Sequence, residues 1–88
     1  MLARRYSISM NGRTQPLPIS ALMQAAHLFG CNIYIAAGPE HFDVKNYDEL
    51  LRGIQPVRRI LILCFDGADE KEAEVKFQNL FGGFLKTA

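Results

Sequence analysis

The stretch RRILILCFDGADEKEAEVKFQNLFGGF, residues Arg58 to Phe84, decides the fold. From Ile60 to Phe65 it is apolar at odd and even positions alike, the pattern of a central strand whose two faces both meet something. Asp66-Gly67 breaks that strand. Asp69 then stands as a helix N-cap with Glu72 three residues on, and Ala73, Phe77, Leu80 and Phe84 fall on one helical stripe. Gly82-Gly83 weakens the last turn, by roughly 1 kcal/mol per glycine relative to alanine. The acidic run DEKEAE complements the dipole at a helix start, which explains it better than a catalytic carboxylate pair does.

Working upstream, RRYSISM alternates, with Tyr6, Ile8 and Met10 on one side and Ser7 and Ser9 on the other, as in a half-buried strand ended by Asn11-Gly12. A loop with two prolines follows, and Pro18 suits the first turn of a helix because its missing N–H would have had no intrahelical partner. Ile19, Leu22, Ala26 and Phe29 share a face of that helix, with Met23 and Ala25 beside them and Gly30 as its C′ residue. CNIYIAA reads as a strand, and Gly38-Pro39 turns it into a second one, HFDVK, in which Phe42 and Val44 share a face. Asn46 caps a short helix running to Arg52, with Glu49 in the capping-box position and Gly53 as its stop.

The order is β-α-β-β-α-β-α in a single domain over residues 1–88. It describes an α+β open-faced sandwich, a four-stranded antiparallel sheet with three helices on one face. If Leu61, Leu63 and Phe65 face the helices, then Ile60, Ile62 and Cys64 face the other way, accompanied only by Ser7, Ser9, Asn32, Tyr34 and Ala36. The resulting apolar strip is either an ordinary exposed patch or a face buried in a dimer or partner, and a homodimer would use Ile60, Ile62 and Tyr34. The same parity separates Cys31 on the helix side from Cys64 on the open side, so no disulfide joins them.

The chain has 88 residues, is 49% hydrophobic and 22% charged, and carries a formal charge of +1. Nothing in that composition calls for nucleic acid, and no apolar run is long enough for a signal peptide or a membrane span, so a cytoplasmic protein is expected. Two cysteines are too few for a disulfide scaffold and have no second ligand at metal-site spacing. No phosphate-cradling, nucleophile-elbow or carboxylate-pair motif occurs, so neither an enzyme nor a bound cofactor is expected. His27 shares a helix face with Ser20 and Gln24, opposite the apolar stripe, and His41 points away from the core near Tyr34. The arginines at 4, 5, 13, 52, 58 and 59, with Lys45, make either a solvated basic surface or a contact for an acidic partner.

The element order, the NG before the proline loop, Pro18 opening the first helix, Lys45-Asn46 before the second and DGADEKEA before the third resemble the HPr family. These are the small histidine-containing phosphocarriers of the bacterial sugar phosphotransferase system, and the resemblance covers nearly the whole chain. It implies that the phosphoryl-accepting His is matched by Gln15, the Arg before the helix proline by Leu17, and the regulatory Ser by Asn46. An amide has no lone-pair nitrogen to accept phosphate, Leu17 brings no guanidinium, and Asn46 keeps a helix cap but no hydroxyl. What the resemblance leaves is the family's docking surface, here Arg13, Thr14, Gln15, Leu17, Ser20, Gln24, Tyr47 and Leu51, with Leu50 beside them.

The expectation is thus a regulatory protein acting by protein–protein contact with a phosphotransferase-system or transcriptional partner, without phosphohistidine transfer. Two other readings stay open. One is a phosphocarrier or kinase substrate with a relocated acceptor, Ser20, His27 or His41, of which Ser20 is favoured by its place in a helix first turn. The other is a ferredoxin-like small-molecule-binding regulatory domain, which has one helix fewer.

Overall fold

The computed structural model describes residues 1–8, 18–55 and 60–87. The chain forms strand β1 (Leu2–Ile8), helix α1 (Ile19–Ala26), strands β2 (Asn32–Ala37) and β3 (Glu40–Asp43), helix α2 (Tyr47–Ile54), strand β4 (Ile60–Asp66), helix α3 (Glu70–Phe81) and strand β5 (Leu85–Thr87). The strands pair antiparallel in one sheet of order β3-β2-β4-β1-β5. The doubly apolar β4 lies at the centre, as its sequence requires.

Register decides which side chains meet the helices. Tyr6 lies opposite Leu61 and Leu2 opposite Phe65, while Ile33 and Ile35 lie opposite Phe65 and Leu63. This one parity packs against Leu22 of α1, Leu50 of α2 and Phe77 of α3 to make the core. Each such side chain contributes about 1.5–3 kcal/mol by leaving water. Phe77 also meets Phe65 edge-on, with ring centroids 5.5 Å apart and planes at 76°, the arrangement that the aromatic quadrupole favours. The reverse parity, with Ile60, Ile62 and Cys64, faces away from the helices, and Cys31 and Cys64 are both buried free thiols on opposite sides of the sheet.

Four expectations need correction. The sheet has five strands, not four, because α3 stops at Phe81 and the chain turns through Gly82-Gly83 so that Leu85 pairs with Ile8. The buried stripe of α3 is accordingly Ala73, Phe77 and Phe81, and Leu80 is exposed. Helix α1 ends at Ala26, so Gly30 is not its C′ residue; the Gly30 amide instead donates to Asp69 Oδ2 at 2.9 Å. Gly53 does not stop α2 but lies buried within it, since a Cβ there would come 2.9 Å from Phe42 Cβ and 3.1 Å from Ile35 Cδ1. Glycine at 53 lets the helix sit directly on β2 and β3.

The helix expected at Asn46 is present as α2, which removes the ferredoxin-like alternative. Its cap works as read, with Asn46 Oδ1 accepting from Glu49 N at 3.1 Å. Glu49 does not return the bond to Asn46; its Oε1 accepts from Asp43 N at 3.2 Å and ties α2 to the end of β3. Met10 and Ser9 lie outside the described residues.

One close approach fixes how α3 leaves the sheet. Gly67 has φ +155°, and a Cβ on it would stand 2.6 Å from Cys31 Cβ and 2.7 Å from Cys31 Cα. The obstacle includes backbone, which cannot rotate aside. Gly67→Ala is therefore expected to destabilise the fold by at least about 2 kcal/mol through overpacking and backbone strain, and an unchanged urea midpoint would contradict this packing.

Candidate functional site

The side chains that the resemblance assigns to a docking surface divide between the segment before α1 and the exposed faces of α1 and α2. Arg13, Thr14, Gln15 and Leu17 lie outside the described residues. Ser20, Gln24 and His27 follow one another along α1 and its C-cap at spacings of four and three residues, so they share a face, and all three are exposed. On α2, Tyr47 is 46% exposed and Leu51 half-buried, whereas Leu50 is a core residue at 1%. The structure thus presents Ser20, Gln24, Tyr47 and Leu51 to solvent and withdraws Leu50.

Two bonds join the α1 and α2 parts of this surface. His27 Nε2 lies 3.0 Å from the Lys45 carbonyl oxygen. A carbonyl only accepts, so Nε2 carries the proton and donates. Lys45 Nζ in turn donates to the Phe29 carbonyl oxygen at 2.8 Å. The end of α1 is thereby strapped to the start of α2, with Lys45 and His27 set where the helix dipole of α1 is negative. The sequence placed Lys45 only as a flanking residue; its role across the two helices is not local and carries no sequence signal.

That electrostatic setting bears on the relocated phosphate acceptors. His27 lies at the C-terminal end of a helix, where an added phosphate would meet carbonyl dipoles of its own sign. His41 lies on the far side of the sheet, its ring stacked on Tyr34 with centroids 4.5 Å apart. Ser20 is exposed in the first turn of α1, a turn without acidic residues. Among the described residues, no three His, Cys, Asp or Glu side chains gather where a metal could be held.

The position of α1 relative to the sheet is set by Asp69. Its carboxylate does not cap α3; Oδ2 accepts from Gly30 N and Oδ1 from Cys31 N, each at 2.9 Å. These bonds, that from Gly30 foremost, hold its carboxyl below the ordinary value of 3.8. A lowered pKa means that the contribution is complete above that value and is lost only as acid protonates the folded carboxylate. Beside it, burial and then the hydrogen bond to Asp69 push the Cys31 thiol up to about 11. Burial likewise raises Cys64.

No known protein-family model matches the chain, and no curated protein does. Solved structures do. HPr-C-His from Thermoanaerobacter tengcongensis superposes with a TM-score of 0.76 at 18% identity, covering 94% of this chain and 93% of that one. The histidine-containing phosphocarrier protein of a Mycoplasma gives a TM-score of 0.68 at 19% identity, over 90% of this chain and 94% of that one. The phosphocarrier protein HPr from Bacillus anthracis gives 0.67 at 19%, over 85% and 89%. The chain therefore has an HPr-like fold, and the likeness at these identities is one of fold.

Two buried thiols with raised pKa values hold little thiolate at neutral pH. In the folded protein neither Cys31 nor Cys64 is expected to be alkylated by iodoacetamide at pH 7.5, and both react once urea unfolds the chain. Rapid labelling of either in the native state, or an intramolecular bridge in a nonreducing intact-mass measurement, would refute this placement.

Proposed function

We propose that the chain is a contact protein built on the HPr-like fold, acting on a phosphotransferase-system or transcriptional partner in the cytoplasm without carrying phosphate on histidine. The observation that carries the reading is the pairing of replaced chemistry with a kept surface. Gln15, Leu17 and Asn46 occupy the positions where the resemblance calls for His, Arg and Ser. Asn46 performs the capping a Ser would perform, through its bond from Glu49 N, and offers nothing to phosphorylate. Directly after it stands Tyr47, an exposed aromatic ring, with Leu51 one turn on.

An exposed Tyr beside a half-buried Leu is the composition of a protein contact, where a large ring gives area at small entropic cost. Asp48 and Glu49 in the first turn of α2 and Arg52 in its last turn give the rim around Tyr47 and Leu51 charges of both signs, which would orient a partner more than strengthen its binding. Among the described residues, no helix is long and apolar enough to cross a membrane. Ser20 supports the second reading, a kinase target in a helix first turn where backbone N–H groups favour an added phosphate.

Incubation with phosphoenolpyruvate and the general phosphotransferase is expected to leave the intact mass unchanged, and an acid-labile phosphate on the chain would overturn the proposal. With the partner captured by affinity purification, Tyr47→Ala is expected to weaken its binding by roughly tenfold or more, the ordinary cost of losing an aromatic anchor. A mass gain on Ser20 after treatment with a serine kinase would favour the second reading.

A further inference from the structure

The side of the sheet away from the helices takes no part in the surface just described, and among the described residues no element packs on it. Its centre is apolar, with Ile60 38% exposed and Ile62, Tyr34 and Ala36 half-buried. Its charges are segregated. Register places Arg5 opposite Ile62 on β1 and Lys86 opposite Ser7 on β5, so both point to this face near the Ile60 end of β4. Asp43 lies opposite Tyr34 on β3, and Asp66 lies opposite Asn32 at the other end of β4. The Met1 ammonium stands 4.0 Å from Asp66 Oδ1 and 3.2 Å from Glu70 Oε1, so this end stays net negative, with Asp43, Asp66 and Glu70 against one cation. A basic corner and an acidic corner therefore stand diagonally across an apolar centre.

We propose that this face is the interface of a two-fold symmetric dimer of this chain, the Arg5 and Lys86 corner of one copy lying over the Asp43 and Asp66 corner of the other. A two-fold axis between two such sheets, running through the two remaining corners, exchanges the acidic corner with the basic one. Corners of opposite net charge then meet, and each such meeting occurs twice, as an isologous interface requires. The strands of the two sheets cross near a right angle, one of the two ways in which sheets pack. A face that complements itself selects a second copy as its occupant, whereas an unrelated partner would need no such diagonal. The apolar centre drives the association and the rim charges fix its orientation. Arg5 and Lys86 have no ion-pair partner among the described residues, so both are free for this use.

The proposal stands apart from the docking function, since it uses the opposite side of the molecule. Sedimentation velocity of the purified chain from micromolar to millimolar concentration is expected to show a monomer–dimer equilibrium that weakens as salt rises. Ile62→Lys, Arg5→Glu and Asp43→Lys should each leave a monomer where the parent chain is dimeric, with the circular dichroism spectrum unchanged. Mixing Arg5→Glu/Lys86→Glu with Asp43→Lys/Asp66→Lys should restore a one-to-one dimer, because each corner of one copy again meets a corner of opposite charge. Asp43 Oδ1 also accepts from Lys45 N at 2.9 Å; if Asp43→Lys disturbs that turn, Asp66→Lys takes its place. A chain that stays monomeric at millimolar concentration, a dimer indifferent to Ile62→Lys, or a mixture that stays monomeric would overturn the proposal.

Discussion

The Asp69 carboxylate holds two turns together that are far apart in sequence, and the placement of α1 and α3 in the helix layer depends on it. It accepts from the amides of Gly30 and Cys31, which lie between α1 and β2, while its own backbone starts α3. Gly67, two residues earlier, brings the β4–α3 turn onto Cys31 so closely that no side chain fits between them. The exit of α1 and the entry of α3 are thereby fixed at one end of the central strand. Lys45 and His27 then tie the same end of α1 to α2. The faces of α1 and α2 keep their relation through backbone-directed bonds, which leaves the outward side chains free to vary.

That freedom would let the scaffold persist with the reactive positions replaced, as the proposed function requires. The bonds that position α1 and α2 run through Asp69, Lys45, Asn46 and Glu49, none of which needs a His at 15 or an Arg at 17. A Gln at 15 and a Leu at 17 therefore cost the fold nothing in these contacts. Inside the core the tolerance is smaller. Glu74 is buried with Oε1 bonded to Arg4 Nε at 3.3 Å, while its Oε2 and the Tyr6 hydroxyl lack a partner among the described residues. Burial first, and the Glu74 charge second, push the Tyr6 hydroxyl up to about 12, so it stays a neutral phenol inside the sheet.

Much of this was legible in the sequence where the signal is local. Alternation about Tyr6, the doubly apolar Ile60–Phe65 run and the Asn46 cap each depend on neighbours within a few residues, and each element formed, although only one face of the Ile60–Phe65 strand meets another element among the described residues. The misreadings share a cause. Phe84 sits at helical spacing, yet Gly82-Gly83 releases the chain into β5, whose three residues are too few to show alternation. Gly30 and Gly53 look like helix stops, but Gly30 lies beyond the end of α1, where its amide, which any residue but proline would supply, meets Asp69, and Gly53 is needed for its missing Cβ against β2 and β3. Asp69 is a good cap by composition, and its carboxylate is drawn off by amides that precede it by 38 and 39 residues. Of the docking surface that the resemblance implies, the shared face of Ser20 and Gln24 is readable from helical spacing, Tyr47 and Leu51 come from the resemblance, and the strap through Lys45 comes from neither.

The account's central claim is that the chain works through the α1–α2 face. It is tested most directly by an amide NMR titration of the labelled chain with the general phosphotransferase of the sugar phosphotransferase system. The account predicts shifts or broadening at Ser20, Gln24, Tyr47 and Leu51, with the amides of β1 and β4 unaffected. Perturbations confined to the open sheet face, or a spectrum unchanged at saturating enzyme, would contradict it.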